Sequence, residues 1–203
     1  MKYHKINSIF KRDEKGQFTE EFATPEFEFL KNNLWEFTEK IDGTNVRIIW
    51  EDGKLKFRGK TDNAQMPVLL MEKLQEIFTK EKLQEIFPEG KVILYGEGFG
   101  PGIQSGGKYL KEGVDFILFD VVIDNWWLNR ISIEDIADKL GIGIVNLIGE
   151  GTLMEGIELT KKGFNSKFGD FTAEGIVIKP KVQLFSRKGD RIITKVKYKD
   201  FRK

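Results

Sequence analysis

Hydrophobic residues fall into short alternating or continuous runs parted by Gly, Asp and Pro, a pattern made mostly of strands with a few helices between them. Leu34-Trp35-Glu36-Phe37-Thr38 alternates as a strand does, and Val46-Arg47-Ile48-Ile49-Trp50 reads as another. Asp42-Gly43 between them predicts a tight turn, so Lys40 is expected just ahead of a hairpin bend with its amine on one side of a sheet. Asp52-Gly53 predicts a second turn, after which Leu55-Lys56-Phe57-Arg58-Gly59-Lys60 runs as a strand into a basic loop. Pro67 begins a helical stretch, Pro67-Val68-Leu69-Leu70-Met71-Glu72, with the proline well placed in its first turn. In that stretch Lys-Leu-Gln-Glu-Ile-Phe occurs twice, at residues 73–78 and 82–87. A nine-residue period turns an ideal helix through about 900°, which sends the copies to opposite faces. Either the helix breaks near Thr79-Lys80, or one copy packs against something other than the sheet.

Further along, Val92-Ile93-Leu94-Tyr95 is a buried-type strand closed by the glycine-rich loop Gly96-Glu97-Gly98-Phe99-Gly100-Pro101-Gly102. Phe116 to Val122 is another, with Asp120 as its only interior charge, and a buried aspartate needs a partner. Ser132-Ile133-Glu134-Asp135 is expected to cap a helix that runs to Leu140 and ends at Gly141. Ile144 to Ile148 reads as a strand, Leu153 to Lys162 as helical turns, and Ile176 to Ile178 with Ile192 to Tyr198 as a strand pair. Tyr3 to Phe29 scatters aromatics among charges and predicts an irregular segment lying on the core.

Composition narrows the chemistry. The 203 residues, 40% hydrophobic and 32% charged, fit a soluble globular domain with a substantial core. Without cysteine there are no disulfides, thiolate metal sites or cysteine nucleophiles, and the single His4 leaves no basis for a serine–histidine triad or a His-rich metal centre. No apolar run reaches the ~20 residues of a membrane span, so no membrane association and a cytoplasmic location are expected. The net charge of +1 conceals an asymmetry: residues 179–203 hold ten Lys or Arg against two Asp, +8, while the rest carries −7. A basic end on an acidic body suggests a polyanion partner, phosphate or nucleic acid.

Certain polar residues stand out against this frame. A strand lysine beside other cations can become a nucleophile, although a solvated lysine before a turn is the plainer reading of Lys40 alone. Arg58 and Lys60 could meet phosphate or be ordinary loop charges. Glu97 is a lone carboxylate where glycines let a ligand approach the backbone. Gly96, Gly98 and Gly100 are not a dinucleotide fingerprint, because the spacing is wrong and no helix pattern follows. Phe119 beside Asp120 is either core or a ligand platform. Lys195 and Lys197, two apart on a strand, share a face, which is costly unless an anion lies beside them. Glu174 opens the preceding strand, where a carboxylate could reach a ribose hydroxyl or a metal-bound water.

Taken in order, these segments resemble the covalent nucleotidyltransferase superfamily of ATP-dependent DNA ligases, RNA ligases and mRNA capping enzymes. Lys40-Ile41-Asp42-Gly43 is similar to its nucleophile motif, Arg58-Gly59-Lys60 to the phosphate-contacting motif, and Tyr95-Gly96-Glu97 to the third. Phe116 to Asp120 resembles the adenine-stacking strand, with Phe119 as the stacker, and Glu174 to Lys179 with Lys195-Val196-Lys197 resembles the last two motifs. The match runs from about Trp35 to Tyr198. Glu39-Lys40-Ile41-Asp42-Gly43-Thr44-Asn45 is most like the RNA ligase 2-type repair and editing ligases, since DNA ligases usually place arginine where Asn45 stands.

The resemblance implies an α+β fold, an ATP-grasp-like adenylyltransferase domain of twisted antiparallel sheets flanked by helices. It would occupy residues 1–203, without the further C-terminal domain that family members typically carry. The implied activity is ATP-dependent RNA ligation through a lysyl–AMP at Lys40, with Lys195 and Lys197 holding the α-phosphate and favouring the neutral amine. Glu39, Asn45, Arg58, Glu97, Phe119 and Lys179 would bind the nucleotide, Arg58 and Glu97 at the ribose. Glu174 would join the metal shell. ATP with Mg²⁺ or Mn²⁺ would be the cofactors. RNA ends, a nicked duplex or RNA/DNA hybrid among the candidates, would be the substrate of a monomer. A minimal DNA ligase and a non-catalytic module that binds nucleotide or RNA ends are the alternatives, with guanylyl transfer behind them.

Overall fold

In a computed structural model, which describes residues 2–202, the chain opens with β1 (Asn7–Ser8), β2 (Phe10–Arg12), β3 (Phe18–Phe22) and α1 (Pro25–Leu30). Then come β4 (Trp35–Glu39), β5 (Thr44–Glu51), β6 (Lys54–Arg58), α2 (Val68–Ile77) and α3 (Lys80–Ile86). They are followed by β7 (Val92–Phe99), β8 (Asp115–Ile123), β9 (Trp126–Trp127), α4 (Arg130–Leu140) and β10 (Gly143–Ile144). The chain closes with β11 (Leu147–Gly151), α5 (Leu153–Lys162), β12 (Gly175–Pro180) and β13 (Thr194–Lys197). The elements divide into two compact units; the described part of the first is residues 2–3 and 42–145, and of the second 4–41 and 146–202. The boundary falls inside the Lys40-Ile41-Asp42-Gly43 motif. The expected α+β class holds, and among the described residues no helix is long and apolar enough to cross a membrane.

The first unit is a sheet ordered β10-β8-β7-β5-β6, with β9 beside β8. All its pairs are antiparallel except β10 with β8. Strand alternation sends Val46, Ile48, Trp50, Leu94, Phe116 and Leu118 to one side, where Leu70, Leu74, Leu83, Ile133, Ile136 and Leu140 of the three helices cover them. The duplicated hexapeptide is resolved by a break, the first of the two expected options. Phe78 ends α2, and Thr79 caps α3 by accepting the N–H of Lys82. The break resets the helical phase, so Leu74 and Phe78 of one copy and Leu83 and Phe87 of the other are buried in one core. Asp52 and Gly53 both have positive φ, 51° and 68°, as the short β5–β6 hairpin requires.

The second unit is a sheet ordered β1-β13-β12-β4-β11, antiparallel but for β1 with β13. Trp35, Phe37, Ile176, Ile178 and Val196 face Leu153 and Ile157 of α5. Thr152 and Glu155 close a capping box on that helix, which spans the expected Leu153–Lys162.

Five expectations are corrected. Lys40 does not precede a hairpin: β4 and β5 belong to different sheets, and Gly43 is needed because a Cβ there would strike the Gly98 carbonyl and come within 2.9 Å of Glu97 Cγ. The strand from Val92 does not stop at Tyr95 but continues to Phe99; Gly96 and Gly98 lie within it, where side chains would collide with the Phe116 ring and with Leu70. The supposed strand from Ile144 to Ile148 is split between β10 and β11, in separate sheets, and the cap of α4 is Asn129, whose side chain accepts the N–H of Ser132. The segment from Tyr3 to Phe29 is irregular only in part: β1, the β2–β3 hairpin and α1 give regular structure from Asn7 onward, while Phe10, Phe18 and Phe22 pack on the second core as expected.

Candidate active site

The pleat of the second sheet decides which side chains can meet. Trp35, Phe37 and Glu39 of β4 stand opposite Pro180, Ile178 and Ile176 of β12, on the core side. Glu36, Thr38 and, next in step, Lys40 therefore project from the other side. Val177 pairs with Lys195 and Gly175 with Lys197, which puts both lysines, and Lys179 of β12, on that same side.

Lys40 is anchored by its main-chain N–H, which donates to the Gly175 carbonyl at 3.0 Å. Its Nζ donates to Glu174 Oε2 at 2.7 Å and to the Ile41 carbonyl at 3.3 Å. Lys197 Nζ lies 2.6 Å from the other oxygen, Glu174 Oε1. Glu174 thus joins two ammonium groups, one to each oxygen, with the three side chains only 13–24% exposed. Charge-assisted contacts, largely shielded from water, hold both ammonium groups against the one carboxylate. The Glu174 main chain is held too, its carbonyl accepting the N–H of Tyr198 at 2.8 Å.

Glu39 departs from expectation in its setting. Its carboxylate, 1% exposed, lies on the core side, where Ser166 Oγ donates to Oε1 at 2.5 Å and the Lys167 N–H to Oε2 at 3.0 Å. Ser166 and Lys167 were not legible as supports, since a hydroxyl in a loop carries no distinctive spacing.

In the first unit, Asn45, Glu97 and Ile117 form one cross-strand row, and Arg58, Arg47, Tyr95 and Asp120 the next, all on the side away from the helices. Asn45 Oδ1 is buried and has no hydrogen-bond partner among the described residues. An orphaned acceptor of this kind costs free energy unless a ligand or water donates to it. Phe119 sits at a β-bulge, where the β7–β8 register shifts between Tyr95 and Gly96. The bulge turns its ring to the side of Tyr95 and Trp127, and Tyr3 meets it edge-on, with centroids 5.2 Å apart. Tyr3 also supplies the partner Asp120 needed, its hydroxyl donating to that carboxylate.

Arg47, which no motif singles out, is 1% exposed. Its Nε donates to the Gly59 carbonyl and its guanidinium to Asp62 Oδ1, both at 2.8 Å, fixing the loop that follows Arg58. This hydrogen bond from Arg47 holds the Asp62 carboxyl below the usual carboxylate range. The available signal was alternation, which places Arg47 on the Asn45 face directly beside Arg58. Tyr109 was also unforeseen; its hydroxyl accepts the Asp42 N–H at 3.0 Å.

A family model described as RNA ligase matches residues 33–197. The fold is shared with Naegleria gruberi RNA ligase, an apo mutant of which gives a TM-score of 0.70 at 18% identity, over 96% of this chain and 58% of that one. A mutant of the same enzyme with ATP and Mn gives 0.69 at 18%, over 97% and 63%. The enzyme with PPi gives 0.68 at 19%, over 96% and 61%. The chain therefore spans about six-tenths of the length of these structures. No curated protein matches the chain by sequence.

Proposed function

Because the chain belongs to the RNA ligase family, we propose that it is an ATP-dependent RNA ligase working through a lysyl–AMP at Lys40. The observation that carries this is the Lys40–Glu174–Lys197 cluster, a strand lysine held beside a second cation by one carboxylate. Release of the Glu174 contact and loss of a proton free the Lys40 amine to attack the α-phosphorus of ATP; an N–P bond forms and pyrophosphate leaves. The AMP then passes to a 5′-phosphate, restoring the lysine. A 3′-hydroxyl attacks that phosphate and expels AMP, leaving a phosphodiester.

On this reading Lys195, Lys197 and Lys179 stabilise charge on the phosphates, since fixed cations act most strongly where charge builds up in the transition state. Asn45, Arg58 and Glu97 serve the nucleoside, and Phe119 offers a ring to the base. The buried acceptor of Asn45 fits a ligand that brings donors. For the metal, no group of three acidic or histidine side chains gathers among the described residues. A Mg²⁺ or Mn²⁺ held by one carboxylate and by the substrate's own phosphates fits better, with Glu174 as that carboxylate. Such an ion supplies neutralisation of phosphate charge.

Incubation with radiolabelled ATP or GTP and Mg²⁺, followed by a denaturing gel, tests the reading. ATP should label the wild type covalently and leave Lys40→Ala blank; labelling of Lys40→Ala would overturn the assignment. The RNA ends are best sought in a nicked duplex or RNA/DNA hybrid. Comparing nicks that end in a 3′-ribonucleotide and a 3′-deoxyribonucleotide separates RNA from DNA sealing.

A further inference from the structure

The segment between β12 and β13 is left unexplained by the chemistry at Lys40. Its root is anchored, for Leu184 and Ile192 pack on the second core and the Ile192 N–H donates to the Leu184 carbonyl at 2.9 Å. Its tip is a closed turn: the Ser186 N–H donates to the Asp190 carbonyl at 2.7 Å, and the Gly189 N–H to the Ser186 carbonyl at 2.9 Å. Ser186 Oγ also accepts the N–H groups of Lys188 and Asp190, at 3.2 and 3.3 Å. Backbone tied at so many points leaves the tip little freedom, so its side chains are held out from a preorganised support.

What the tip holds out is unusual for a solvated turn. Phe185 is 50% exposed and Val182 73%. Arg187 and Lys188 are exposed and form no ion pair among the described residues, whereas Lys181 at the base is taken up by Glu150 at 2.7 Å. Asp190 is the only acid from residue 181 to 193. Unpaired cations beside an exposed aromatic ring are the combination that binds a single-stranded polynucleotide, phosphates on the cations and a base on the ring.

We propose that this hairpin is a contact for a single-stranded RNA segment, with Arg187 and Lys188 on successive phosphates and Phe185 stacked on a base. The inference rests on the RNA ligase reading for the identity of the polynucleotide. RNA binding can nevertheless be measured without ATP, so the two fail separately. The measurement is fluorescence anisotropy of a labelled single-stranded RNA with the full chain, across a salt series, alongside lysyl–AMP formation and thermal melting.

Arg187→Ala/Lys188→Ala should weaken RNA binding at least tenfold. It should also flatten the log–log salt slope by about 1.4, since each phosphate of a single strand that a cation neutralises adds about 0.7 to that slope. Arg187→Glu/Lys188→Glu should weaken binding further. Phe185→Ala should weaken it about tenfold with the slope unchanged, because stacking releases no counterions. All should melt and form lysyl–AMP as the wild type does. Wild-type affinity in the double variants, an unchanged slope, or no RNA binding by the wild type would overturn the hairpin contact. Absence of lysyl–AMP in the wild type would instead overturn the reading at Lys40.

Discussion

Replacing Glu39, the immediate neighbour of Lys40, separates support from ligand contact. Its side chain lies on the core side of β4, while Lys40 faces the opposite way. With 1% exposure, the carboxylate satisfies the Ser166 hydroxyl and the Lys167 N–H. Glu39→Ala strands both donors, at about 1–3 kcal/mol for each buried group left unpaired. The Ser166 hydroxyl can rotate towards another acceptor, so the expected loss is nearer the lower end, about 2–4 kcal/mol in all. Glu39→Gln keeps the shape: its amide oxygen can accept from Lys167 and its NH2 can donate to Ser166 Oγ, the hydroxyl reversing its role. That variant should stay within about 1 kcal/mol of the wild type, the usual worth of one neutral hydrogen bond. Thermal melting reads the stability and calorimetric titration with ATP reads the affinity. Glu39→Gln should melt and bind ATP as the wild type does, and Glu39→Ala should lose stability first. A tenfold loss of ATP affinity in Glu39→Gln with unaltered melting would refute this and make the side chain a nucleotide ligand.

Arg47→Ala should destabilise the protein by about 3 kcal/mol, through a buried stem and an orphaned Gly59 carbonyl, and Arg47→Met by less because it keeps the stem. Melting curves of the two variants check the order. Because Arg47 holds the folded Asp62 carboxyl below its unfolded value, that pair contributes fully above the ordinary carboxylate range and fades as pH falls towards the lowered value. Asp62→Asn should therefore cost stability near neutral pH and progressively less in acid; an equal loss at every pH would contradict the linkage. Lys195→Ala and Lys197→Ala should each slow lysyl–AMP formation about 10²–10³-fold, the usual cost of removing one transition-state donor, as read from single-turnover labelling.

Much of the first unit was legible because its signals are local. Asp52-Gly53 needs positive φ at both residues, and in the second unit Leu153 to Lys162 carries its own capping box. Lys40, Glu174 and Lys197 could be named, but their contact depends on strands distant in sequence coming into register, and no period records that. The failures share a cause. Asp42-Gly43 looks like a hairpin turn to any local rule, yet Gly43 serves the close passage of Gly98. Gly96 and Gly98 look like loop residues, yet they lie in a strand because Phe116 and Leu70 fill the space their side chains would take. Phe119 reached its face through a bulge, one residue that alternation does not count.

The central claim is that one particular amine takes the AMP, and peptide mass spectrometry after incubation with ATP and Mg²⁺ tests it most directly. The account predicts an acid-labile adenylyl group on Lys40, absent when Lys40→Ala is treated alike. Adenylylation of Lys195, Lys197 or any other residue in place of Lys40 would contradict it.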